Sequence, residues 1–133
     1  MSVYVDTSAL YAMLDGDDAN HAQARVTWIE LPARREELIY TNYVLVETFA
    51  LVQRRLGMEA VRTLQEDLIP ILRIEWVDET RHLAGVNALL SASRRQISLV
   101  DCVSFEAMRR LGLKMALAFD RHFGEQGFGL LPC

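Results

Sequence analysis

The sequence predicts an α/β fold, a three-layer α/β/α sandwich around a central, mainly parallel sheet, and three observations predict it. Short β-branched runs alternate with longer segments of helical period from one end of the chain to the other. Parallel strands need crossovers of about a dozen residues, and helices usually supply them. The 133 residues are 51% hydrophobic, enough for one core and a sheet covered on both faces. With no internal repeat, linker or low-complexity stretch, residues 1–133 read as a single domain.

Val3-Tyr4-Val5 is a β-rich run that stops at Asp6, and Thr7-Ser8 opens a helix through Leu14. A polar helix follows from Asp17-Asp18 to about Leu31, with Ala22, Val26 and Ile29 at helical spacing and Pro32 ending it. Leu38-Ile39-Tyr40-Thr41 is the second strand. From Asn42 the period lengthens: Leu45, Phe49, Val52 and Leu56 form a narrow apolar stripe, and Gly57 suits the position after a helix end. Met58 to about Leu68 is another helix, closed by Pro70. Ile71 to Val77 alternates only in part and predicts a third strand near an edge. Asp78 or Thr80 begins a helix to about Leu90, and Ser91 to Ser98 is a weak helix end and a loop. Leu99 to Leu111 is helical and stopped by Gly112. Met115-Ala116-Leu117-Ala118-Phe119 is a buried strand running into Asp120, and Gly127 to Leu131 is a last, weak strand.

No apolar run approaches the roughly 20 residues of a membrane span. The N-terminal MSVYVDTSALYAML lacks a basic leader and carries an aspartate, so the expectation is a cytoplasmic protein with no membrane association. Cys102 and Cys133 are the only cysteines, at a spacing that suits neither a disulfide framework nor a zinc site. Two unbridged thiols are expected. The net charge of −4 disfavours a polyanionic partner in sum, but the distribution matters more. One of the 14 basic residues is Lys114, so 13 are arginine, and eight stand in the pairs Arg34-Arg35, Arg54-Arg55, Arg94-Arg95 and Arg109-Arg110. The guanidinium fork matches phosphate oxygens where an ammonium is only a point charge. The pairs fit an RNA partner, and they also fit solvated helix faces.

Four acids stand out by their place on these elements. In open parallel sheets ligands bind outside the carboxyl ends of strands, and two apolar strands end in aspartate, at Asp6 and Asp120. Asp101 opens a helix with Phe105 and Met108 on its own face, so it leans inward. Glu47 lies early in the helix after the second strand, opposite the Leu45 stripe and beside Tyr43 and Leu51. Each acid also has a structural reading. Asp6 and Asp120 suit helix N-caps, Asp101 is favoured by the helix dipole, and Glu47 reads as a solvated surface residue. Jointly, four carboxylates at one sheet edge repel one another unless a positive ion sits between them. The ion that suits them is Mg²⁺ or Mn²⁺, which takes carboxylate oxygens, keeps waters and bridges to phosphate. The chemistry such a site supports is phosphodiester hydrolysis. His21, His82 and His122 are far apart in sequence, and no P-loop, GxGxxG, GxSxG or HExxH offers a different chemistry.

The segments VYVDTSAL, TNYVLVETFAL, SLVDCVSFEAMRRLG and LAFDRHFGEQGF resemble, in order and spacing, the four acidic motifs of PIN-domain nucleases, and most of all those of the VapC-like toxins of type II toxin–antitoxin pairs. The resemblance spans essentially the whole chain. It implies a PIN-like fold, Mg²⁺- or Mn²⁺-dependent cleavage of RNA, a homodimer and inhibition by a cognate antitoxin protein. It carries the catalytic and metal-holding role onto Asp6, Glu47, Asp101 and Asp120, and a site-supporting role onto the hydroxyl of Ser8. Some relatives have an Asp or Asn two positions after the fourth acid, where this chain has His122, which puts a second metal in question. Arg94, Arg95 and Arg121 are the candidates for contacting RNA. A housekeeping RNA-processing nuclease and a catalytically silent RNA-binding or scaffold module are the alternatives within this fold; all four acids are present, which argues against the silent one. A phospho-acceptor receiver domain needs a lysine after its last strand, and Lys114 precedes its strand.

Overall fold

β1 (Ser2–Val5) is the middle strand, and its Val3, Tyr4 and Val5 are all fully buried. Successive strand residues point to opposite faces, so burial of all three means that both faces are covered, as a parallel sheet requires. In the computed structural model, which describes residues 2–132, the other strands are β2 (Glu37–Thr41), β3 (Arg73–Glu75), β4 (Met115–Leu117) and β5 (Gly129–Leu131). They form a five-stranded sheet in the order β3-β2-β1-β4-β5, with every neighbouring pair parallel. From β1 the chain steps outward to β2 and β3, then returns across the sheet to β4. The order therefore reverses between β1 and β4, and that switch point opens a crevice at the carboxyl ends of the two strands.

The helices are α1 (Thr7–Leu14), α2 (His21–Ala33), α3 (Asn42–Leu56), α4 (Met58–Thr63), α5 (Glu79–Ala92), α6 (Leu99–Leu111) and α7 (His122–Glu125). α1 and α6 match the sequence reading in extent. α2 differs at both ends. Asp15 and Asp18 accept bonds from the backbone N–H of Asp17 and Asn20, two Asx turns that delay the helix to His21. Pro32 is accommodated in the last turn, because the donor it lacks is a single bond there. The buried face is Ala24, Thr27, Trp28 and Leu31, while Val26 and Ile29 are 55% and 60% exposed. The large Trp28 ring sets that rotation, and Thr27 fits because its hydroxyl donates to the Gln23 carbonyl at 2.9 Å. On α3 the fully buried residues are Val44, Thr48 and Val52, with Leu45, Phe49 and Leu56 half-buried beside them.

Between Met58 and Ile71 the chain stays helical but changes pitch, through a π-helical stretch at Leu64–Leu68 and a 3-10 turn at Ile69–Ile71. β3 is therefore shorter than the expected run from Ile71 to Val77, and it is an edge strand as expected. β4 ends at Leu117, two residues before the expected end. α6 is tied to the sheet by Tyr4, whose hydroxyl donates to Ser104 Oγ at 2.7 Å in the core. Cys102 is a buried free thiol, and Cys133 lies outside the described residues. Among the described residues no helix is long and apolar enough to cross a membrane.

Candidate active site

Asp6 is the first residue beyond β1, and its backbone N–H donates to the Leu117 carbonyl at 3.0 Å, stitching the end of β1 to the end of β4. Its carboxylate caps α1: Oδ2 accepts from the Ser8 N–H at 3.2 Å and from Ser8 Oγ at 2.7 Å. The same Ser8 oxygen accepts from the Phe119 N–H at 3.0 Å. One hydroxyl thus joins the first acid to the segment that carries Asp120. Asp6 is only 5% exposed. Burial pushes its carboxyl up to about 6, the charges of Asp101 and Asp120 add to that, and the two bonds from Ser8 oppose it.

Asp101 is the third residue of α6 and forms a capping box with Ser98. Ser98 Oγ accepts from the Asp101 N–H at 3.1 Å, and Asp101 Oδ2 accepts from the Ser98 N–H at 3.0 Å. Burial raises the Asp101 carboxyl above the usual range, Asp120 adds to the rise, and the Ser98 bonds hold it back. Asp120 lies in the turn after β4, where Oδ1 accepts from the His122 N–H at 2.8 Å. The structural and the chemical readings of these acids are therefore compatible. Asp6 and Asp101 cap helices, Asp120 caps a turn, and the same caps aim all three carboxylates into one electrostatic neighbourhood.

Glu47 is exposed on α3. It lines the same open cleft, of about 310 Å³, as Asp6, Ser8, Asp101 and Asp120. The cleft thus gathers every acid and the hydroxyl expected from the sequence. Among the described residues, no group of three or more His, Cys, Asp and Glu side chains is placed to hold a metal ion. The acids share a cleft without forming a finished cage. Their donor set is oxygen alone, which fits a hard divalent cation that keeps waters of its own. An apolar cleft of about 380 Å³, lined by Asn42, Tyr43, Val46, Glu47 and Val100, adjoins it through Glu47 but brings no second carboxylate.

The arginines expected to meet RNA lie outside the residues lining the acidic cleft. Arg94 and Arg121 both pair with Glu125, at 3.4 and 3.8 Å, and Arg95 is exposed. The basic residue that does line the cleft is Arg55, which the sequence reading did not single out. The signal was available: Glu47, Leu51 and Arg55 are four residues apart in turn, one face of one helix.

The PIN-domain family model matches residues 3–129. The chain belongs to the PIN-domain family. This PIN domain is 34% identical over 127 residues to the 23S rRNA-specific endonuclease VapC20 of Mycobacterium tuberculosis, with 95% of each chain covered. The crystal structure of that protein, described as a sarcin–ricin loop cleaving toxin, matches with a TM-score of 0.85 and 33% identity over 95% of both chains. VapBC2 from Rickettsia felis, solved bound to a DNA fragment from its promoter, shares the fold at 13% identity, with a TM-score of 0.72 over 98% of this chain and 97% of that one. FitAcB from Neisseria gonorrhoeae shares it at 14% identity, with a TM-score of 0.67 over 98% and 96%. The family expected from the four motifs is the one found.

Proposed function

We propose that this PIN domain is a Mg²⁺- or Mn²⁺-dependent endoribonuclease, the cytoplasmic toxin of a toxin–antitoxin pair, with bacterial 23S rRNA as its first substrate to try. The observation that carries the reading is the single cleft lined by Asp6, Glu47, Asp101 and Asp120, in a chain 34% identical to a 23S rRNA-specific endonuclease. Asp6 and Asp101 are the principal metal-holding carboxylates, Glu47 joins them from the open side, and Asp120 is the weakest of the four. Ser8 keeps Asp6 oriented through its 2.7 Å bond. When bound, the ion supplies a water of lowered pKa and positive charge against the scissile phosphate. The chain's own part is to fix these carboxylates in place through their caps and to leave the cleft open to a strand, while the positive ion would offset the burial that raises Asp6 and Asp101. Arg94, Arg95 and Arg121 remain candidates for phosphate contacts outside the cleft. A cognate antitoxin belongs to the same reading, supported by neighbours of this fold solved as VapBC2 and FitAB, and a homodimer is part of the proposal.

The test is cleavage of a sarcin–ricin stem-loop RNA, and of total bacterial RNA, by the purified protein with each metal. Activity is expected with Mg²⁺ or Mn²⁺ and none with EDTA. Asp6→Asn and Asp101→Asn are expected to be slower by about a thousandfold, the scale on which lost electrostatic catalysis is felt. Full activity in EDTA, or in a folded Asp6→Asn protein, rules the metal mechanism out.

A further inference from the structure

Arg55 ends the cleft-facing row of α3 that starts at Glu47, and among the described residues lining the acidic cleft it is the only basic one. Its guanidinium carbon stands 5.5 Å from the centroid of the Tyr11 ring. Tyr11 is itself held, because its hydroxyl donates to Asp15 Oδ2 at 2.7 Å. The ring attracts the guanidinium at this distance, the Tyr11 hydroxyl is also within its reach, and the five N–H donors of the fork leave others for a phosphate. Among the described residues no carboxylate lies within ion-pair distance of Arg55, whereas Arg34, Arg73, Arg81, Arg94, Arg110 and Arg121 all have such partners. A cleft lined by five acids, Asp18 being the fifth, repels a polyanion, so a strand that crosses it needs a cation at the rim. A planar fork placed at the rim is suited to two oxygens of one phosphate.

We propose that Arg55, seated on Tyr11, is a substrate-binding residue that clamps a backbone phosphate of RNA flanking the scissile one. The proposal rests on the ribonuclease reading above and adds to it the residue that lets an acidic site accept a polyanion. Because the clamped phosphate does not react, the contact is as strong before the transition state as in it. Its loss then raises KM and leaves kcat nearly unchanged.

The experiment is steady-state cleavage of the sarcin–ricin stem-loop RNA by the metal-loaded wild type, Arg55→Gln and Arg55→Lys at several salt concentrations. Arg55→Gln is expected to raise KM about tenfold, the size of one exposed charge-assisted contact, with kcat within about twofold. Its log(kcat/KM) is expected to fall less steeply with log salt, by about 0.7 for one phosphate of a single-stranded loop. Arg55→Lys is expected to keep the salt slope and raise KM a few-fold, because the charge remains and the fork is lost. A merely structural role in steadying Tyr11 would leave the salt slope alone. Unchanged KM and slope in Arg55→Gln overturn the proposal while wild-type cleavage stands. If Arg55→Gln fails to fold, Arg55→Lys decides, and a wild-type KM there overturns the proposal. A wild type that cleaves neither this RNA nor total RNA overturns the nuclease reading and the clamp together.

Discussion

The Asp6 carboxyl is buried, accepts two bonds from Ser8 and feels the charges of Asp101 and Asp120. Burial and like charge outweigh the two bonds, and the carboxyl rises from its ordinary 3.8 to about 6. A raised pKa on an acid means that the folded state binds the proton more tightly than the unfolded chain does. Below about 3.8 both states are protonated and the group contributes nothing. The destabilisation grows as pH rises from there through about 6, and it is constant above, at about 3 kcal/mol. Asn at position 6 keeps an oxygen to accept from Ser8 and is as good an N-cap as Asp. Asp6→Asn is therefore expected to be more stable than the wild type by about 1–3 kcal/mol at pH 8 in EDTA, with the gain gone at pH 3.5. Urea denaturation at the two pH values measures this. A less stable Asp6→Asn protein at pH 8 would mean that the cap, rather than repulsion, dominates at this residue. Asp6 and Asp120 were legible from the sequence because each follows a strand-like apolar run. Arg55 was legible only as half of a basic pair on the Glu47 face of α3, because an arginine in a helix reads as solvated until a ring and a cleft are seen beside it.

α6 carries Asp101, and the helix packed most extensively against it is α5. Their contact depends on Gly85, the one fully buried residue of α5. A Cβ built on Gly85 falls 2.5 Å from Val103 Cγ2 and 3.6 Å from the Val103 Cα. In an exposed helix interior Gly→Ala stabilises by about 1 kcal/mol. Here the valine is stiff about χ1 in its helix and has no free rotamer to move into. Gly85→Ala is expected to destabilise by about 1–3 kcal/mol, as overpacking does. Val103→Ala in the same chain is expected to remove most of that loss, so that the two substitutions couple by more than about 1 kcal/mol in thermal melts. Additive effects would show that the helices separate freely and that Gly85 has no packing role. Element identity and order were readable from period and punctuation, and α1 and α6 were readable to the residue because Asp6, Ser98 and Gly112 mark their ends. The face of α2 was not, since Val26 and Ile29 outrank Thr27 in hydropathy. Only the packing of Trp28 turns the helix the other way. The change of pitch after Thr63 left no sequence signal beyond Pro70.

At the scale of the molecule, alternating elements implied a parallel sheet but not its strand order, since that order depends on contacts between distant segments. The order β3-β2-β1-β4-β5 makes the β1/β4 boundary the switch point, and Asp6 and Asp120 flank it. The site was therefore legible from its residues before the topology that assembles it. The same open geometry bears on the biological role. The cleft is roomy at about 310 Å³, three of its acids (Asp6, Asp101 and Asp120) are pre-positioned by caps, and similarity to a 23S rRNA-specific endonuclease covers 95% of both chains. A ribonuclease acting on 23S rRNA finds its target in every ribosome, so a few molecules per cell are enough to stop translation. An acidic pocket of this kind is also open to a partner protein that inserts a basic side chain, which is how a cognate antitoxin would silence it. Expression of this chain alone in a bacterium is accordingly expected to arrest growth, and expression of Asp6→Asn is not. Co-expression of a cognate antitoxin is expected to restore growth through a stable complex. Colony formation after induction is the readout, with protein levels checked by blotting so that loss of protein cannot pass for loss of toxicity. If abundant, metal-loaded wild-type protein leaves growth normal in a host that has the RNA target and no antitoxin, the toxin role fails. Cleavage of RNA by the same preparation would then leave a nuclease whose work is RNA processing.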